Sequence, residues 1–559
     1  MPFLAKLLTT KRSRLVAIII SLSIALLSSA VIIATLFVQL NRNSQIAKVP
    51  KLHSSLNTSA MQTFSESLNT QTPQDLSKYP KNECPKQTGN WIEKENLKPG
   101  VPITQTEWRK LSLRGLSGSA IWLNKTSVSC GDKLDLHASL YGSRLLDFNE
   151  GKRTFEAIRV GWYLGSGARS IWTSKPFDLK QRGIRVSSSP SRLIDTNWST
   201  TTTISIDKNW IPGFYLILSK SDTGKIESAA PLVVRSPLGM SKLVLMHSFL
   251  TWNAYNSFGG KSAYFGGGAT VVERRQDRSR IISLDRPMIG SGGFSIHRDA
   301  LSLVQFLEEN GINYDQVSDI DLNQWPSITQ SYNGIVLGGH PEYMTRRILD
   351  TMIAARNQGI NIAILGGNTG VWQVRLASSK IGQDRQIEIY RDEREDPVTQ
   401  KDLVSTKFAY PAINYPATLF TGTQAGGVHV YGSLHAVTIP SWLKIPANSS
   451  INGISPESEV DKYLKIAATP PNVHILFSGL LKYSNPNPHL PTPVADVTWH
   501  VTPSGSAIFN AGLMTWSCDL TLTCDYASVD GNSRATMSLI TQQVLKLWQI
   551  KAVGKTLKN

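Results

Sequence analysis

Between residues 332 and 368 the chain carries a pattern that few architectures accommodate. The apolar run Ile335-Val336-Leu337 meets Gly338-Gly339 and turns through His340-Pro341-Glu342-Tyr343. Residues 344–358 read as a helix, Gly359 stops it, and Ile362-Ala363-Ile364-Leu365 runs into Gly366-Gly367-Asn368. That order is strand, helix, parallel strand, with polar residues gathered where both strands end. In open α/β sheets ligands sit outside the carboxyl ends of the strands. His340, Glu342, Tyr343 and Asn368 therefore mark a candidate site.

The flanking sequence sets this unit in a larger frame. At 559 residues the chain exceeds what one core supports, so two or three domains are expected. Residues 106–236 carry short β runs between polar turns: Ala120-Ile121-Trp122-Leu123, the segments 133–137 and 155–160, Thr202-Ile204-Ile206, Tyr215-Leu216-Ile217-Leu218 and Ala230-Pro231-Leu232-Val233-Val234. Strands at that spacing predict an immunoglobulin-like β-sandwich. From residue 237 the period changes. A buried strand, Leu243-Val244-Leu245-Met246, enters a glycine-punctuated polar-aromatic loop over 251–264, and a helix over 300–310 ends at Gly311. A short strand around Asp315 comes next, then the strand-helix-strand unit of 332–368. The alternation predicts an α/β domain over 237–559 with a mostly parallel sheet. Within it, 376–455 carries loop signals and short β runs, and residues 473–512 read as a late Rossmann-like unit. A terminal helix over 535–550 has Met537, Ile540, Val544, Leu545, Leu547 and Trp548 on one broad face.

The N-terminus is different. Residues 15–40 are 26 uncharged, mostly apolar residues. As a helix they would rise about 39 Å, enough to cross a hydrocarbon layer of about 30 Å with some tilt. Lys6, Lys11, Arg12 and Arg14 precede the run. The positive-inside rule then predicts a cytoplasmic N-terminus at 1–14, a transmembrane signal anchor at 15–40 in contact with the lipid bilayer, and an extracytoplasmic body, periplasmic or at the cell surface. A cleaved signal peptide competes, but its apolar stretch spans only about 7–15 residues. Residues 41–105 are a polar spacer.

The formal charge of +17 includes six Lys or Arg and no acid within residues 1–50, leaving +11 spread over the rest. Without a zinc finger, basic helix or Arg/Lys block alternating with aromatics, nucleic acid is excluded as a partner. Export permits disulfides. Cys518 and Cys524 flank five residues, a spacing suited to a local clip, which leaves Cys84 with Cys130.

Several chemistries lack their residues. The turn 338–342 has no Ser or Cys at a nucleophile elbow, no GxGxxG opens a strand-turn-helix unit, and HExxH is missing. Glu342 has three readings: an oxygen ligand to a metal, a general base, or a carboxylate satisfying backbone N–H groups. His340 is an ordering donor or a structural hydrogen-bonder. Tyr255 and Tyr264 share the loop at the end of the first strand. A cleft tyrosine becomes a ligand only where a strong Lewis acid lowers its pKa from about 10. Asn256 and Asn368 are placed to orient a carbonyl or a water.

Together these residues resemble the large (beta) subunit family of N,N-dimethylformamidase, whose C-terminal part is related to class I glutamine amidotransferases without their catalytic cysteine. The resemblance rests on Asn253-Ala254-Tyr255-Asn256 through Gly259-Gly260-Lys261-Ser262-Ala263-Tyr264, on Gly339-His340-Pro341-Glu342-Tyr343 and on Leu365-Gly366-Gly367-Asn368. Gly161-Trp162-Tyr163 and the Ala511-Gly512…Thr515-Trp516 end extend it. It implies a glutamine-amidotransferase-like α/β fold and a mononuclear ferric (Fe3+) site, held by two tyrosines and a glutamate, that hydrolyses a small formamide. Carried over, Glu342 fits the carboxylate and Tyr264 one tyrosine. Tyr215 fits the second by its strand signature Pro212-Gly213-Phe214-Tyr215, with Tyr255 the alternative by proximity, and His340 and Asn368 fit as catalytic or substrate-orienting groups.

The leading expectation is thus a metal-dependent hydrolase of a C–N bond in a small amide-like molecule, as an oligomer or with an accessory subunit. A non-catalytic envelope binding module is one rival. A metal-free hydrolase using His340 and Glu342 as an acid–base pair is the other.

Overall fold

The computed structural model describes residues 79–103, 118–141, 152–188 and 190–557. The apolar run at 15–40 and most of the spacer lie outside them, and among the described residues no helix is long and apolar enough to cross a membrane.

After a short helix over Trp91–Asn96, the first part of the described chain is mostly strand. β1 (Gly118–Leu123), β2 (Lys133–Tyr141) and β5 (Thr202–Ser205) form a three-stranded antiparallel sheet. β3 (Lys152–Val160), β4 (Gly167–Thr173), β6 (Gly213–Lys220) and β7 (Ile226–Val234) form the centre of a second. Alternate residues point inward, so Ile121, Leu134, Leu136, Phe155, Ala157, Ile217 and Leu232 share one buried cluster between the two sheets. Cys84 and Cys130 are disulfide-bonded and lie in the same cluster. Two ion pairs tie these strands to the C-terminal half of the chain: Arg159 to Glu308 at 2.6 Å and Arg235 to Asp321 at 2.8 Å, all four side chains almost completely buried.

The largest sheet runs in the order β9 (Asp315–Ser318), β8 (Leu243–His247), β10 (Gly334–Gly339), β12 (Asn361–Gly366), β18 (Ala507–Asn510), β17 (Val494–Val501), β16 (His474–Leu480), β14 (Thr423–Ala436) and β15 (Ser450–Tyr463). Neighbours from β9 to β18 are parallel. From β18 onward every pairing is antiparallel. The short strands β11 (Tyr343–Thr345) and β13 (Trp372–Ala377) belong to a separate small sheet.

The expected fold class is therefore corrected. The structure is β-rich with mixed sheets and, among the described residues, no membrane-spanning helix; its largest sheet is parallel only from β9 to β18, in place of the mostly parallel, amidotransferase-like sheet expected. Loop length supplies the physical reason. A parallel return needs a crossover of about a dozen residues or more, and only residues 502–506 separate β17 from β18, so that pair is a hairpin. The Rossmann-like unit expected over 473–512 is accordingly an antiparallel meander. The stretch 376–455 holds one arm of a hairpin with 14-residue strands, bent by register shifts between Ala425 and Ser433.

Helices cover the parallel half. α1 (Phe249–Tyr255) follows β8, α2 (Ser302–Glu309) precedes β9, and α3 (Arg346–Asn357) joins β10 to β12. α3 starts two residues later than its periodicity predicts because Thr345 caps it, the Thr345 hydroxyl accepting from the Ile348 N–H at 3.1 Å. α4 (Trp516–Asp519) sits at the carboxyl ends of β10 and β12, where Ser517 Oγ donates to the Leu365 carbonyl at 2.7 Å and accepts from the Gly339 N–H at 3.2 Å. α5 (Gly531–Trp548) closes the chain, capped by Asp530, which accepts from the Ser533 N–H at 2.7 Å.

Candidate functional site

The carboxyl ends of β10 and β12 approach too closely for side chains. A Cβ on Gly366 would stand 1.8 Å from the Gly339 carbonyl oxygen, and one on Gly339, at φ +63°, would stand 2.3 Å from Asp299. The chain then turns, the Glu342 N–H donating to the His340 carbonyl at 2.9 Å. The segment leading into β13 grips this turn: Val371 and Trp372 donate their N–H groups to the Glu342 carbonyl at 2.9 and 3.0 Å. The grip places the Trp372 indole so that Nε1 donates to Glu342 Oε1 at 3.0 Å.

The tyrosines arrive from the neighbouring strand. α1 runs from the end of β8 and finishes on Tyr255, and the loop beyond returns so that the Ala263 N–H donates to the Ala254 carbonyl at 3.0 Å. Tyr264 therefore stacks on Tyr255, ring centres 4.6 Å apart. Tyr255 Oη donates to Glu342 Oε2 at 2.7 Å. Tyr264 Oη lies 2.8 Å from Tyr255 Oη and 3.0 Å from Glu342 Oε2, and it accepts from Tyr343 Oη at 2.8 Å. Tyr255 Oη, Tyr264 Oη and Glu342 Oε2 thus form a triangle with edges of 2.7–3.0 Å. Around a small hard cation with metal–oxygen distances of about 2.0–2.1 Å, adjacent octahedral oxygens stand about 2.8–3.0 Å apart. The donor set fits a hard cation in spacing and in chemistry.

Burial, and then the charge of Glu342, raises the pKa of both Tyr255 and Tyr264 well above the ordinary phenol value. Without a cation, the triangle is held by phenol protons.

A second acid stands beside the triangle. Glu459, on β15, was not anticipated from sequence. His340 is buried with its Nε2 3.6 Å from both Glu342 Oε2 and Glu459 Oε2, and no partner within hydrogen-bond distance. His340, Glu342 and Glu459 can bring one ligand atom each within 4.8 Å of one another, a second donor set that shares Glu342. Burial alone would lower the His340 pKa, but Glu459 and Glu342 outweigh it and hold the imidazole above its ordinary value. Burial would likewise raise Glu459, yet His340 holds it below the usual carboxylate range. Asn368, at φ +55°, donates its N–H to Asp461 Oδ1 at 2.9 Å and its Nδ2 to Glu459, leaving Oδ1 buried and without a partner.

Of the residues singled out in the sequence, the structure brings together Tyr255, Tyr264, His340, Glu342 and Asn368. Tyr215 is not among them: it is buried between the two N-terminal sheets, and its hydroxyl donates to the Ile211 carbonyl at 2.7 Å. Asn256 spends its side chain on backbone, Nδ2 donating to the Pro287 carbonyl and Oδ1 accepting from the Phe258 and Ile289 N–H groups. Cys518–Cys524 is disulfide-bonded, as is Cys84–Cys130. Glu459 and Trp372 were missed. The run Ser458-Glu459-Val460-Asp461 held the one signal available for Glu459, acids alternating with residues that face inward.

A stretch of 284 residues is 24% identical to the N,N-dimethylformamidase beta subunit of Paracoccus aminophilus, covering 43% of this chain and 36% of that one. The chain thus spans about a third of the length of the curated relative it matches. A solved Paenibacillus sp. cycloisomaltooligosaccharide glucanotransferase overlaps at 8% identity over 70% of this chain and 68% of that one, with a TM-score of 0.16, too low to carry an argument. The model of the family described as N,N-dimethylformamidase beta subunit-like, C-terminal, matches residues 154–530, more than half of the sequence and the whole of the oxygen cluster, and the chain belongs to that family.

Proposed function

We propose that this protein hydrolyses a C–N bond of the amide type, with an iron(III) ion held by Tyr255, Tyr264 and Glu342. The observation that carries the reading is the oxygen triangle, three hard donors whose edges of 2.7–3.0 Å match one face of an octahedron. The family to which the chain belongs supports amide hydrolysis. Bound there, the ion would supply Lewis acidity, polarising an amide carbonyl and acidifying a water.

The rest of the work falls to the chain. Trp372 fixes one oxygen of Glu342 by its 3.0 Å hydrogen bond, so the other faces the phenols. Tyr343 donates to Tyr264 Oη and would continue to do so to a phenolate, stabilising it. Glu459, held ionised beside His340, is the group to accept a proton from attacking water, and His340 Nε2 is placed to return one to the departing amine. Asn368 Oδ1 is free to accept from a substrate N–H.

The 3.6 Å separations from His340 to Glu342 and Glu459 favour one second reading, acid–base hydrolysis without a metal. The two disulfides support a body folded in an oxidising compartment. The relative is named a beta subunit, which supports an accessory subunit as partner. Hydrolysis of N-alkylformamides by the purified chain, lost in Tyr264→Phe and Glu342→Gln together with iron, tests the reading. Activity that survives both substitutions overturns it.

A further inference from the structure

Beside the oxygen cluster stand two cationic side chains with no carboxylate in contact among the described residues. The Arg391 guanidinium lies over the Tyr264 ring at 4.0 Å and over the Trp372 ring at 4.3 Å. The Lys407 ammonium lies over the same Trp372 ring at 5.1 Å and over Tyr410 at 5.6 Å. Each is fixed by backbone. Arg391 has φ +61°, a conformation a long side chain rarely adopts, and Lys407 forms an antiparallel bridge with Trp372. Trp372 in turn donates to Glu342, so Lys407 is one side chain away from a proposed ligand, while Arg391 stacks directly on another, Tyr264.

The charges do not balance. Burial, and then the neighbouring Arg391, lower the pKa of Lys407, against the more distant Glu342 and Glu459, which raise it. Glu342 acts on both cations, and Glu459 on Lys407, only from a distance; with Glu342 committed to the proposed ion and Glu459 beside His340, neither cation has a carboxylate of its own in contact among the described residues. Half-buried like charges against aromatic faces are costly unless an anion joins them. A guanidinium fork with a neighbouring ammonium suits a carboxylate, which can accept from both.

We propose that Arg391 and Lys407 form an anion subsite at the rim of the oxygen cluster, and that the amide hydrolysed there carries a carboxylate. The inference rests on the amide-hydrolase reading for its substrate and on geometry alone for the subsite. In the reaction, water adds to the amide carbonyl carbon, the C–N bond breaks with its electron pair on nitrogen, and the nitrogen takes a proton. The products are a carboxylic acid and an amine, and the substrate's own carboxylate is unchanged.

The test compares an N-formyl amino acid with its neutral N-formyl amino amide on the full chain, in wild type, Lys407→Met and Lys407→Arg. It also measures acetate binding to each protein by calorimetry. The expected result is at least a tenfold higher kcat/KM for the carboxylate substrate. That ratio falls at least tenfold in Lys407→Met, through KM, and returns in Lys407→Arg, with acetate affinity moving in parallel. A ratio near one in wild type, with acetate acting only as a competitive inhibitor, assigns the subsite to the product and overturns the substrate claim. Acetate binding unchanged by Lys407→Met overturns the subsite itself. If neither amide is hydrolysed but acetate binding still depends on Lys407, the subsite stands and the hydrolase reading fails.

Discussion

Tyr255 Oη lies 2.7 Å from Glu342 Oε2, although 87 residues separate the two in sequence. One residue ends the helix after β8 and the other sits in the turn after β10, adjacent parallel strands whose register sets both at one edge of the sheet. The contact is made through a phenol proton, and this has a measurable consequence. A hard cation can take the triangle only by displacing the protons of Tyr255 and Tyr264, whose pKa values burial and Glu342 hold well above ordinary. Loading metal-free protein with ferric ion in weakly buffered solution should release about two protons per chain, with affinity rising as pH rises. A pH-stat titration checks this, and Tyr264→Phe, which takes up no iron, should release none of these protons.

Tyr215 supplies a contrast. Its hydroxyl is satisfied by the Ile211 carbonyl and it lies in a different core. Tyr215→Phe should leave iron content unchanged and cost about 1 kcal/mol of stability, the net worth of one hydrogen bond. Metal analysis and denaturant unfolding of the same preparation read both.

Ser517 straps the two strand ends that carry the site, accepting from Gly339 and donating to Leu365. Ser517→Ala leaves a buried N–H and a buried carbonyl without that partner, which costs about 1–3 kcal/mol. The melting temperature should fall, and metal should be lost faster to a chelator than from wild type.

Much of this site was legible in the sequence, and for a physical reason. Tyr264, His340, Glu342 and Asn368 lie in glycine-punctuated segments beyond the carboxyl ends of apolar runs, and Tyr255 ends the short helix that follows one, so that side-chain period and turn residues announce a boundary. The rest was hidden because it depends on long-range pairing. A strand has the same period whether its neighbour is parallel or antiparallel, so only the short loop at 502–506 could have revealed the meander. The β14–β15 hairpin breaks its own alternation with bulges around Gly427 and Gly432, which masked both strands and with them Glu459. Tyr215 matched a motif, yet the alternation of β6 turns its side chain towards the opposing sheet.

Acid sensitivity has a separate source. His247 is buried against Phe214 with its Nε2 on Gln316 at 2.7 Å, and burial holds its folded-state pKa down at about 4 against 6.5 for the ordinary group. The unfolded chain therefore takes up this proton first as pH falls. The contribution of neutral His247 is fully present above pH 6.5 and is lost as pH drops towards 4, on the order of 3 kcal/mol for the whole shift. His247→Gln should flatten the dependence of melting temperature on pH across that window relative to wild type, as thermal scans at stepped pH will record.

The central claim is a hard cation on Tyr255, Tyr264 and Glu342. Its most direct test is elemental analysis with an absorption spectrum on protein purified without added metal or chelator. About one iron per chain and a visible tyrosinate-to-iron band, both lost in Tyr264→Phe and in Glu342→Gln, is the predicted result. Fully folded protein that takes up no iron, even when ferric ion is supplied, would contradict it.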